Sequence, residues 1–378
     1  MKLLYIANTR IPTEMAHGLQ IMKMCEAFAK QGADLELVVP IRFAISKIAK
    51  EDPFQYYKVD KVFKIKKLFC LDLTPLNRFL GPISFGIQAV SFSFFVFLYL
   101  LFKKNCIVYG RDRFGLFFVS FVKNFIFEVH KNHRLFFKGL LERANKLVAI
   151  SEGVKSALIK KGILEQKILL ASDGIDLDDF NVSKSREECR KELGLPLNKK
   201  IVLYTGHLYK WKGVETLARA SEFLDENILI VIVGGIKWYL SDFKKFIEKN
   251  NLKNILVVGY KDYSLIPKYL KSADCLVLTG NKESEISREQ TSPMKMFEYM
   301  ASKKPIVASS LLSFKEILNE YNCIFVESDN AEAMAIGIKK ALNDSVLSEN
   351  ISNQAYQDVQ KYTWDNRAKK ILDFICVE

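Results

Sequence analysis

The clearest structural signal in the sequence is the stretch at 200–224, KIVLYTGHLYKWKGVETLARASEFL. It begins with the predicted strand 200–205, in which residues 201–204 form a continuous apolar run, turns through Gly206 and Gly213, and continues with helical spacing of apolar residues over 214–224. A continuous apolar run is typical of a strand buried on both faces, as in a parallel sheet covered by helices. The stretch therefore predicts a strand–turn–helix unit of an α/β protein.

The same alternation of short apolar runs and amphipathic stretches extends along the chain. It predicts strands at 2–7, 34–39, 106–109, 200–205, 228–233, 254–258, 274–278 and 305–308. It predicts helices at 19–31, 214–224, 241–250, 264–271, 293–301, 313–319 and 331–342. The polar segment 173–200 separates two such patterns, and 378 residues suffice for two domains. We therefore predict two Rossmann-like domains, an N-terminal one over 1–175 and a C-terminal one over 176–360.

The charge is distributed unevenly between these domains. The chain carries 56 Lys and Arg against 43 Asp and Glu, a net charge of +13. Residues 1–175 hold 27 of the basic and 14 of the acidic residues, so the whole excess lies in the first domain. A basic domain beside a neutral one suggests an anionic surface as partner, and nucleic acid and acidic membrane are both candidates.

One segment of the first domain is long and apolar. Residues 79–102 contain no charged residue, end in AVSFSFFVFLYLLF, and are followed by Lys103 and Lys104. Glycine, proline and polar residues in its first half leave only about 14 continuously membrane-like residues. A buried core helix, an interfacial helix and a membrane span are the three interpretations of this segment. Continuous aromatic blocks beside lysines favour membrane association over nucleic-acid binding, because stacking platforms use spaced aromatics.

Cysteine usage and missing signatures exclude several classes of protein. The seven cysteines form no C-x-x-C pair, so neither a zinc cage nor a disulfide framework is expected, and a reducing, cytoplasmic location is predicted. The N-terminal MKLLYIANTRIP is too short for a signal sequence. There is no G-x-G-x-x-G, Walker, zincin or G-x-S-x-G motif, which disfavours the corresponding enzymes. The Asp176-Leu177-Asp178 triplet is interpreted as turn chemistry rather than a metal site.

Glycine-containing turns follow several predicted strands, where open α/β sheets bind ligands. In TRIPTEMAHGLQ at 9–20, Gly18 is predicted to open a helix whose free N–H groups face a phosphate or sugar, with a simple tight turn as the alternative. In GHLYKWKG at 206–213, a lysine offers point charge to a phosphate oxygen.

A further such segment is SREQTSPMKMFEYMASKKPIVAS at 287–309. Pro293 suits the first turn of a helix, which makes Thr291 or Ser292 the predicted N-cap and directs backbone N–H groups at a diphosphate. Glu298 lies one and a half turns further along, where a carboxylate accepts hydrogen bonds from the adjacent hydroxyls of a ribose. The segment therefore offers separate groups to the two parts of a nucleotide: backbone N–H groups to the diphosphate and a carboxylate to the ribose.

In order and spacing, these motifs resemble the retaining nucleotide-sugar glycosyltransferases of the GT-B fold, specifically family 4. The resemblance extends over nearly the whole chain. It includes GYKDYSLIPKYLKSADCLVLTG at 259–280, AISEGVKSALIKKGILEQKILLASDGIDLDDF at 149–180 and YTWDNRAKKILDFI at 362–375. It implies two Rossmann-like domains that face each other across a cleft, and a C-terminal helix over 361–378 that returns toward the first domain.

The resemblance also implies roles for particular residues. The donor is bound mainly by the second domain and the acceptor by the first. Lys212 is similar to the lysine on the donor diphosphate, Glu298 to the second glutamate of an E-x7-E motif on the ribose, and His130 in FEVH to the histidine that contacts the transferred sugar. These three are the predicted catalytic residues. The predicted donor-binding residues are Gly18, Gly206, His207, Lys212, Gly259, Tyr260, Lys261, Gln290, Thr291, Ser292, Pro293, Met294, Lys295 and Glu298.

Two positions depart from the family pattern. Gln290 stands where the first glutamate of E-x7-E is expected, and an amide still donates and accepts hydrogen bonds. His207 stands where an arginine usually accompanies the lysine, so a fixed positive charge is missing. Arg288, Lys295 and Lys210 are the candidates to replace that charge.

The activity implied by the resemblance is sugar transfer, of the hexosyltransferase type, from a nucleoside-diphosphate sugar to an acceptor hydroxyl with retention. A UDP-sugar is slightly preferred over a GDP-sugar, and no metal or cofactor is expected. The basic, aromatic-rich first domain suggests an anionic membrane surface as a further partner. The protein is therefore expected at the inner face of the cell membrane. The predicted acceptor is a saccharide or lipid-linked saccharide of bacterial surface-glycan synthesis, and no nucleic acid is expected. The alternatives are a non-catalytic nucleotide-sugar-binding subunit and a GT-B nucleotide-sugar epimerase.

Overall fold

The computed structural model describes residues 1–43, 47–121, 123–131 and 138–376, without the side chains of Lys47 and Lys237. The chain forms two compact units. Unit 1 comprises Met1–Ser172 together with the segment that begins at Trp364, and unit 2 comprises Asp173–Thr363. The chain therefore passes between the units twice, after Ser172 and after Thr363; the sequence placed these crossings after residues 175 and 360.

Unit 1 is built on a seven-stranded parallel sheet. Its strands are β1 (Lys2–Ile6), β2 (Asp34–Pro40), β3 (Lys64–Leu68), β4 (Ile107–Gly110), β5 (Phe125–Val129), β6 (Lys146–Ala149) and β7 (Ile168–Leu170), in the spatial order β3-β2-β1-β4-β5-β6-β7. Its helices before the first crossing are α1 (Ala16–Lys30), α2 (Pro53–Tyr57), α3 (Asn77–Leu80), α4 (Pro82–Leu101), α5 (Lys138–Arg143) and α6 (Glu152–Lys160). The strand order reverses between β1 and β4, which makes their carboxyl ends the expected ligand edge.

Unit 2 repeats this plan with a six-stranded parallel sheet. Its strands are β8 (Lys200–Thr205), β9 (Ile228–Val233), β10 (Ile255–Gly259), β11 (Cys275–Leu278), β12 (Ile306–Ser309) and β13 (Ile324–Val326), in the order β10-β9-β8-β11-β12-β13. Its helices are α7 (Arg186–Leu193), α8 (Val214–Ala220), α9 (Lys237–Lys249), α10 (Ile266–Ser272), α11 (Met294–Ala301), α12 (Leu312–Lys315), α13 (Ala331–Asn343) and α14 (Ser345–Val359). The order reverses between β8 and β11, so the ligand edge of this sheet lies at their carboxyl ends.

The last helix, α15 (Trp364–Cys376), belongs to unit 1. It packs against α1 and buries Trp364, Arg367, Ala368 and Ile371. A buried arginine in this list is unusual, because charged side chains are almost never fully buried without a partner.

The eight predicted strands are confirmed to within one residue at each end. Five further strands are present in the described residues, namely β3, β5, β6, β7 and β13. The edge strand β3 reads KIKKL and is largely exposed, and β7 and β13 have three residues each, so none of these three shows a long apolar run. The helix predicted at 313–319 shortens to α12, and the helix predicted at 19–31 begins at Ala16.

Helix α4 occupies the long apolar segment of unit 1. Among the described residues it is the one helix whose length and composition would allow it to cross a membrane. It begins at Pro82, runs through Gly86 without a break, and packs one stripe of side chains into the core. That stripe consists of Ser84, Gln88, Ala89, Phe92, Ser93, Val96 and Leu100. The helix therefore covers the sheet of unit 1 with one side and exposes apolar residues on the other.

Candidate active site

The ligand edge of unit 2 is organised by the turn between β8 and α8. The backbone N–H of Thr205, the last residue of β8, donates to the Tyr299 hydroxyl of α11 at 2.8 Å. Gly213 has φ 66°, and a Cβ there would lie 2.8 Å from the carbonyl oxygen of Gly280, so only glycine lets the turn pack against the chain that follows β11. The Thr279 hydroxyl donates to the Lys212 carbonyl at 2.6 Å. These contacts fix Lys212 beside the ends of β8 and β11.

Two lysines meet at this edge. Lys212 is half-buried with its Nζ 4.0 Å from the centre of the Trp211 ring, and burial lowers the pKa of Lys212 to about 7. Lys295 of α11 is 9% exposed, and its Nζ lies 3.6 Å from the centre of the Tyr204 ring. Burial, and then the charge of Lys212, holds the pKa of Lys295 well below its usual range. Within the described part of the chain, the Lys295 ammonium has no hydrogen-bond partner.

A buried carboxylate lies one turn further along α11. Glu298 is 6% exposed and accepts a hydrogen bond from the Tyr263 hydroxyl. Burial raises the pKa of Glu298 to about 7, against the opposing effects of Tyr263 and Lys295. Residues three apart lie on the same side of a helix, so α11 presents Lys295 and Glu298 to the same edge of the sheet. The arrangement can hold an anion at the lysines and hydroxyl groups at the carboxylate.

The start of α11 differs from the prediction. The helix begins at Met294, and Pro293 is its N-cap residue with φ −77° and ψ 123° and without a side-chain capping bond. The prediction that Pro293 lies in the first turn, with Thr291 or Ser292 as N-cap, is therefore wrong. The Ser292 hydroxyl instead accepts the backbone N–H of Asp173 at 3.2 Å, which joins this loop to the start of unit 2.

The other predicted residues of unit 2 lie at the same carboxyl edge or in the loop before α11. Gln290 is 3% exposed and donates its side-chain amide to Glu285 at 2.6 Å. The His207 ring stacks on Tyr209 with ring centres 5.2 Å apart. Gly259 ends β10, and Tyr260 and Lys261 follow it.

Of the three candidates to replace the missing arginine, Lys295 is the one on which the charge of Lys212 acts. Arg288 forms an ion pair with Glu289 at 2.7 Å, and Lys210 is exposed. Lys295 is therefore the candidate that interacts with Lys212.

In unit 1, Gly18 is closely packed. It is the third residue of α1, and its N–H donates to the Met15 carbonyl at 2.9 Å, so the prediction that Gly18 opens the helix is wrong. A Cβ at this position would lie 2.2 Å from the Tyr57 hydroxyl and 2.6 Å from Thr13 Cγ2. The Tyr57 hydroxyl donates to the Thr13 carbonyl and accepts the Thr13 N–H. Glycine is required here because Tyr57 packs against the helix.

His130 follows β5 at the carboxyl edge of the sheet of unit 1. Its Nε2 lies 2.5 Å from a Glu128 carboxylate oxygen and its Nδ1 lies 3.2 Å from the Arg111 guanidinium. The side chain of His130 is 21% exposed, and that of Glu128 is completely buried. Sequence reasoning missed Glu128 and Arg111. The sequence contains a signal for Glu128, since it is a charged residue inside the otherwise apolar strand FIFEV. A carboxylate buried in such a strand needs polar partners, which indicates a cluster around it.

The described residues contain no cluster of three or more His, Cys, Asp or Glu side chains arranged to hold a metal ion.

Comparison with known proteins identifies the fold. The structure of HepE from Anabaena in complex with UDP and glucose superposes with a TM-score of 0.76, covering 100% of both chains at 15% identity. At this identity the likeness concerns the fold, and it is the two-domain fold of GT-B glycosyltransferases. The chain therefore has the GT-B fold, as the sequence predicted.

The family follows from the second unit. Residues 185–358 match the family Glycosyl transferases group 1, so unit 2 carries a domain of that family. An uncharacterized glycosyltransferase of Methanocaldococcus jannaschii is 31% identical over 218 residues, 55% of this chain and 54% of its own length. TuaC of Bacillus subtilis, whose name refers to a glycosyltransferase of teichuronic acid biosynthesis, is 24% identical over 225 residues, 59% of this chain and 54% of its own length. The chain spans about half the length of these relatives.

Proposed function

We propose that the protein is a retaining glycosyltransferase of the hexosyltransferase type, which transfers a sugar from a nucleoside-diphosphate sugar to an acceptor hydroxyl. The observation that carries the proposal is the cluster of Lys212, Lys295 and Glu298 on a glycosyl transferases group 1 domain. Two buried ammonium groups, of which Lys295 also has its pKa lowered by the charge of Lys212, gain most from a bound diphosphate. A buried carboxylate accepts hydrogen bonds from the two adjacent hydroxyls of a ribose. With the ribose held there, the sugar to be transferred lies at the diphosphate end of the donor.

In the proposed reaction, the bond between the anomeric carbon and the diphosphate oxygen breaks while the acceptor oxygen bonds to the same face of the sugar. The leaving phosphate takes the acceptor proton. The protein stabilises the developing charge with Lys212 and Lys295 and aligns both substrates, so no divalent ion is needed. Gln290 replaces a carboxylate near the sugar and offers a neutral amide to its hydroxyls. A UDP-sugar is the preferred donor, which agrees with the UDP bound to HepE.

A membrane-proximal acceptor is supported by an aromatic surface of unit 1, which we term the phenylalanine face. It consists of six rings in sequential contact, with centres 5.1 to 6.3 Å apart: Phe69, Phe95, Phe94, Phe118, Phe117 and Phe121. Four of them are between 45% and 56% exposed. A contiguous exposed apolar surface of this kind marks an interaction site.

A basic side chain borders the phenylalanine face. The Arg143 guanidinium lies 4.2 Å from the Phe121 ring centre. Aromatic groups beside cations suit the interface of an anionic bilayer. We place the protein at the inner face of the cell membrane, with a lipid-linked saccharide of surface-glycan synthesis as acceptor. The name of the relative TuaC points to the same kind of product.

The donor is tested by nucleotide release from UDP-, GDP-, ADP- and TDP-sugars, with EDTA present and a lipid extract as acceptor. We expect release from one donor, lost in Lys212→Ala and Glu298→Ala and retained in Lys210→Ala, a matched lysine on the exposed side of the same turn. Release that requires a divalent ion would contradict the metal-independent mechanism. Linkage analysis of the product by NMR tests retention.

The membrane surface is tested by sedimentation with vesicles that contain phosphatidylglycerol. Replacing Phe94, Phe117 and Phe121 with Ser should release the protein from the vesicles. The matched control replaces three exposed apolar residues of unit 2 with Ser, namely Leu312, Ile336 and Val346. Equal sedimentation of both variants would contradict the phenylalanine face as the membrane surface.

A non-catalytic nucleotide-sugar-binding subunit is the second candidate, favoured by Gln290 and His207 at positions where charged residues are expected. It would bind one nucleotide and show no turnover with any donor. An epimerase would convert the donor sugar without an acceptor, which the same assay detects.

A further inference from the structure

Glu128 is the centre of a buried polar cluster in unit 1. Its carboxylate is fully buried and accepts hydrogen bonds from Gln20 at 2.8 Å, from His130 at 2.5 Å and from the Tyr109 hydroxyl. An Arg367 guanidinium nitrogen lies 3.1 Å from its second oxygen. These partners come from α1, β4, the end of β5 and α15, so four separate segments of the unit converge on one carboxylate.

The cluster closes into a ring around His130. Arg111 donates one guanidinium nitrogen to the Gln20 side-chain oxygen at 2.5 Å and directs the other at His130 Nδ1, and Gln20 in turn donates to Glu128. An arginine can only donate, so His130 Nδ1 is the acceptor and its proton resides on Nε2, which donates to Glu128. The geometry therefore assigns the neutral Nε2–H tautomer to His130.

Arg367 adds a connection to the crossing segments of the chain. Its Nε donates to the Ser172 carbonyl at 2.9 Å, and its Nη2 donates to the Ala171 carbonyl at 3.2 Å. Ala171 and Ser172 are the last residues before the chain leaves unit 1, and Arg367 lies three residues after it returns. One guanidinium thus holds both segments and the Glu128 carboxylate.

The charge arrangement explains why Glu128 stays ionised. Burial alone would raise the pKa of the Glu128 carboxyl, but the Arg367 guanidinium, together with the His130 hydrogen bond, holds that pKa well below its usual range. A buried ion pair usually contributes little net stability compared with well-packed apolar residues. The ionised Glu128 carboxylate is therefore better explained by the side chains that it holds in place than by a contribution to the stability of unit 1.

We propose that Glu128 and Arg367 are positioning residues for sugar transfer, which fix His130 as a neutral Nε2–H tautomer in one orientation. This inference rests on the proposed function, in which His130 contacts the transferred sugar. Arg367 anchors Glu128, Glu128 accepts from Nε2, and Arg111 restrains Nδ1 from the other side. The exposed fifth of the His130 side chain is then presented to the substrate in a single orientation.

The test compares variants of this pair with a matched structural pair. Arg367→Met with Glu128→Gln removes both charges at once, so that no unpaired charge is left buried. The control is Arg190→Met with Asp274→Asn in unit 2, a buried pair at 2.6 Å that is distant in sequence from the predicted site residues. We expect the first double variant to lose about 10- to 100-fold in kcat with the donor KM nearly unchanged, because misplacing one group costs this much. The control should keep the kcat of its folded fraction. Equal kcat losses in the two folded variants, or full kcat in the first, would overturn the proposal.

A second measurement does not depend on activity. The chain has only 4 histidines, so ring ¹⁵N signals are assigned by comparison with a His130→Asn variant. We expect the Nε2–H tautomer pattern for His130 in the unaltered protein and tautomer averaging in the double variant. An averaged signal in the unaltered protein would contradict the positioning role even if the enzyme transfers sugar. The expected signal in a protein that releases no nucleotide would leave the positioning of the ring intact and contradict the proposed function instead.

Discussion

The two units place charged side chains at equivalent edges of their sheets, but the charges are paired in unit 1 and lie beside like charges in unit 2. In unit 1, the Glu128 carboxylate is neutralised by Arg367 and receives hydrogen bonds from several sides. In unit 2, Lys212 and Lys295 repel each other, and Glu298 is buried beside them with a raised pKa. Paired charges of the first kind hold a group in one geometry. Strained charges of the second kind are stabilised only when a ligand of complementary charge binds.

This difference predicts that neutralising substitutions will have opposite effects on stability in the two units. The pKa of Glu298 rises from its usual value of 4.5 to about 7 on folding, so the folded state binds the proton more tightly than the unfolded state. The resulting penalty develops as the pH rises from 4.5 to 7 and is constant above 7, at about 3 kcal/mol. Glu298→Gln should therefore raise the free energy of unfolding by about this amount at pH 8. Glu128→Gln should lower it by about 3 kcal/mol, because it takes the neutralising carboxylate away from the buried Arg367 guanidinium.

Chemical denaturation at pH 8 and pH 5 measures both effects. The gain from Glu298→Gln should shrink at pH 5, where the unaltered carboxyl is mostly protonated in the folded state. A loss of stability in Glu298→Gln at pH 8 would mean that the carboxylate is stabilised by groups other than Tyr263 and Lys295.

Lys295 sharpens the comparison because its substitution separates binding from stability. Lys295→Met removes the repulsion with Lys212 and places a thioether over the Tyr204 ring, so the protein should become more stable by about 1 kcal/mol. Binding of a nucleoside diphosphate should weaken by about 100-fold, since a charge-assisted contact in a desolvated site is lost. Calorimetric titration and thermal unfolding of the same sample measure the two effects. Lys210→Met is the control, and a parallel fall of both quantities would contradict the strained cluster.

The sequence predicted the fold of unit 2 well because its strands are continuous apolar runs followed by glycine turns. It also led to Lys212, Lys295 and Glu298, which lie within such a turn and a neighbouring helix. Local patterns carry this information, since the carboxyl ends of parallel strands meet at one edge of the sheet.

The cluster in unit 1 depends on long-range contacts that no local pattern contains. Arg367 reaches Glu128 only because α15 returns to unit 1 after the whole of unit 2. Gly18 illustrates the same limit, because its local sequence does not show the close packing of Tyr57 against it. Side chains that are distant in the sequence determine both positions.

The smallest expected effect concerns the pH dependence of nucleotide binding in unit 2. The pKa of Lys212 is about 7 in the free protein because of burial, and a bound diphosphate favours the protonated form and raises that pKa. Below pH 7 the lysine is charged before binding, so Lys212 adds no pH dependence there, and a change in affinity in that range reports Glu298, whose pKa is also about 7. Between the free and the bound pKa, binding takes up one proton, so the affinity should fall about tenfold for each pH unit.

Lys212→Arg tests this origin, because arginine stays protonated throughout the range and the variant should bind nucleotide with a nearly flat profile above pH 7. Calorimetric titration in buffers of different ionisation enthalpy counts the protons taken up by each variant. In unit 1 the corresponding charges are already paired, so Arg367→Lys should leave the pH profile of nucleotide binding unchanged. The opposite result would be a pH profile of nucleotide binding that becomes flat in Arg367→Lys but not in Lys212→Arg. It would mean that the charges that respond to the nucleotide lie in unit 1 and not in unit 2.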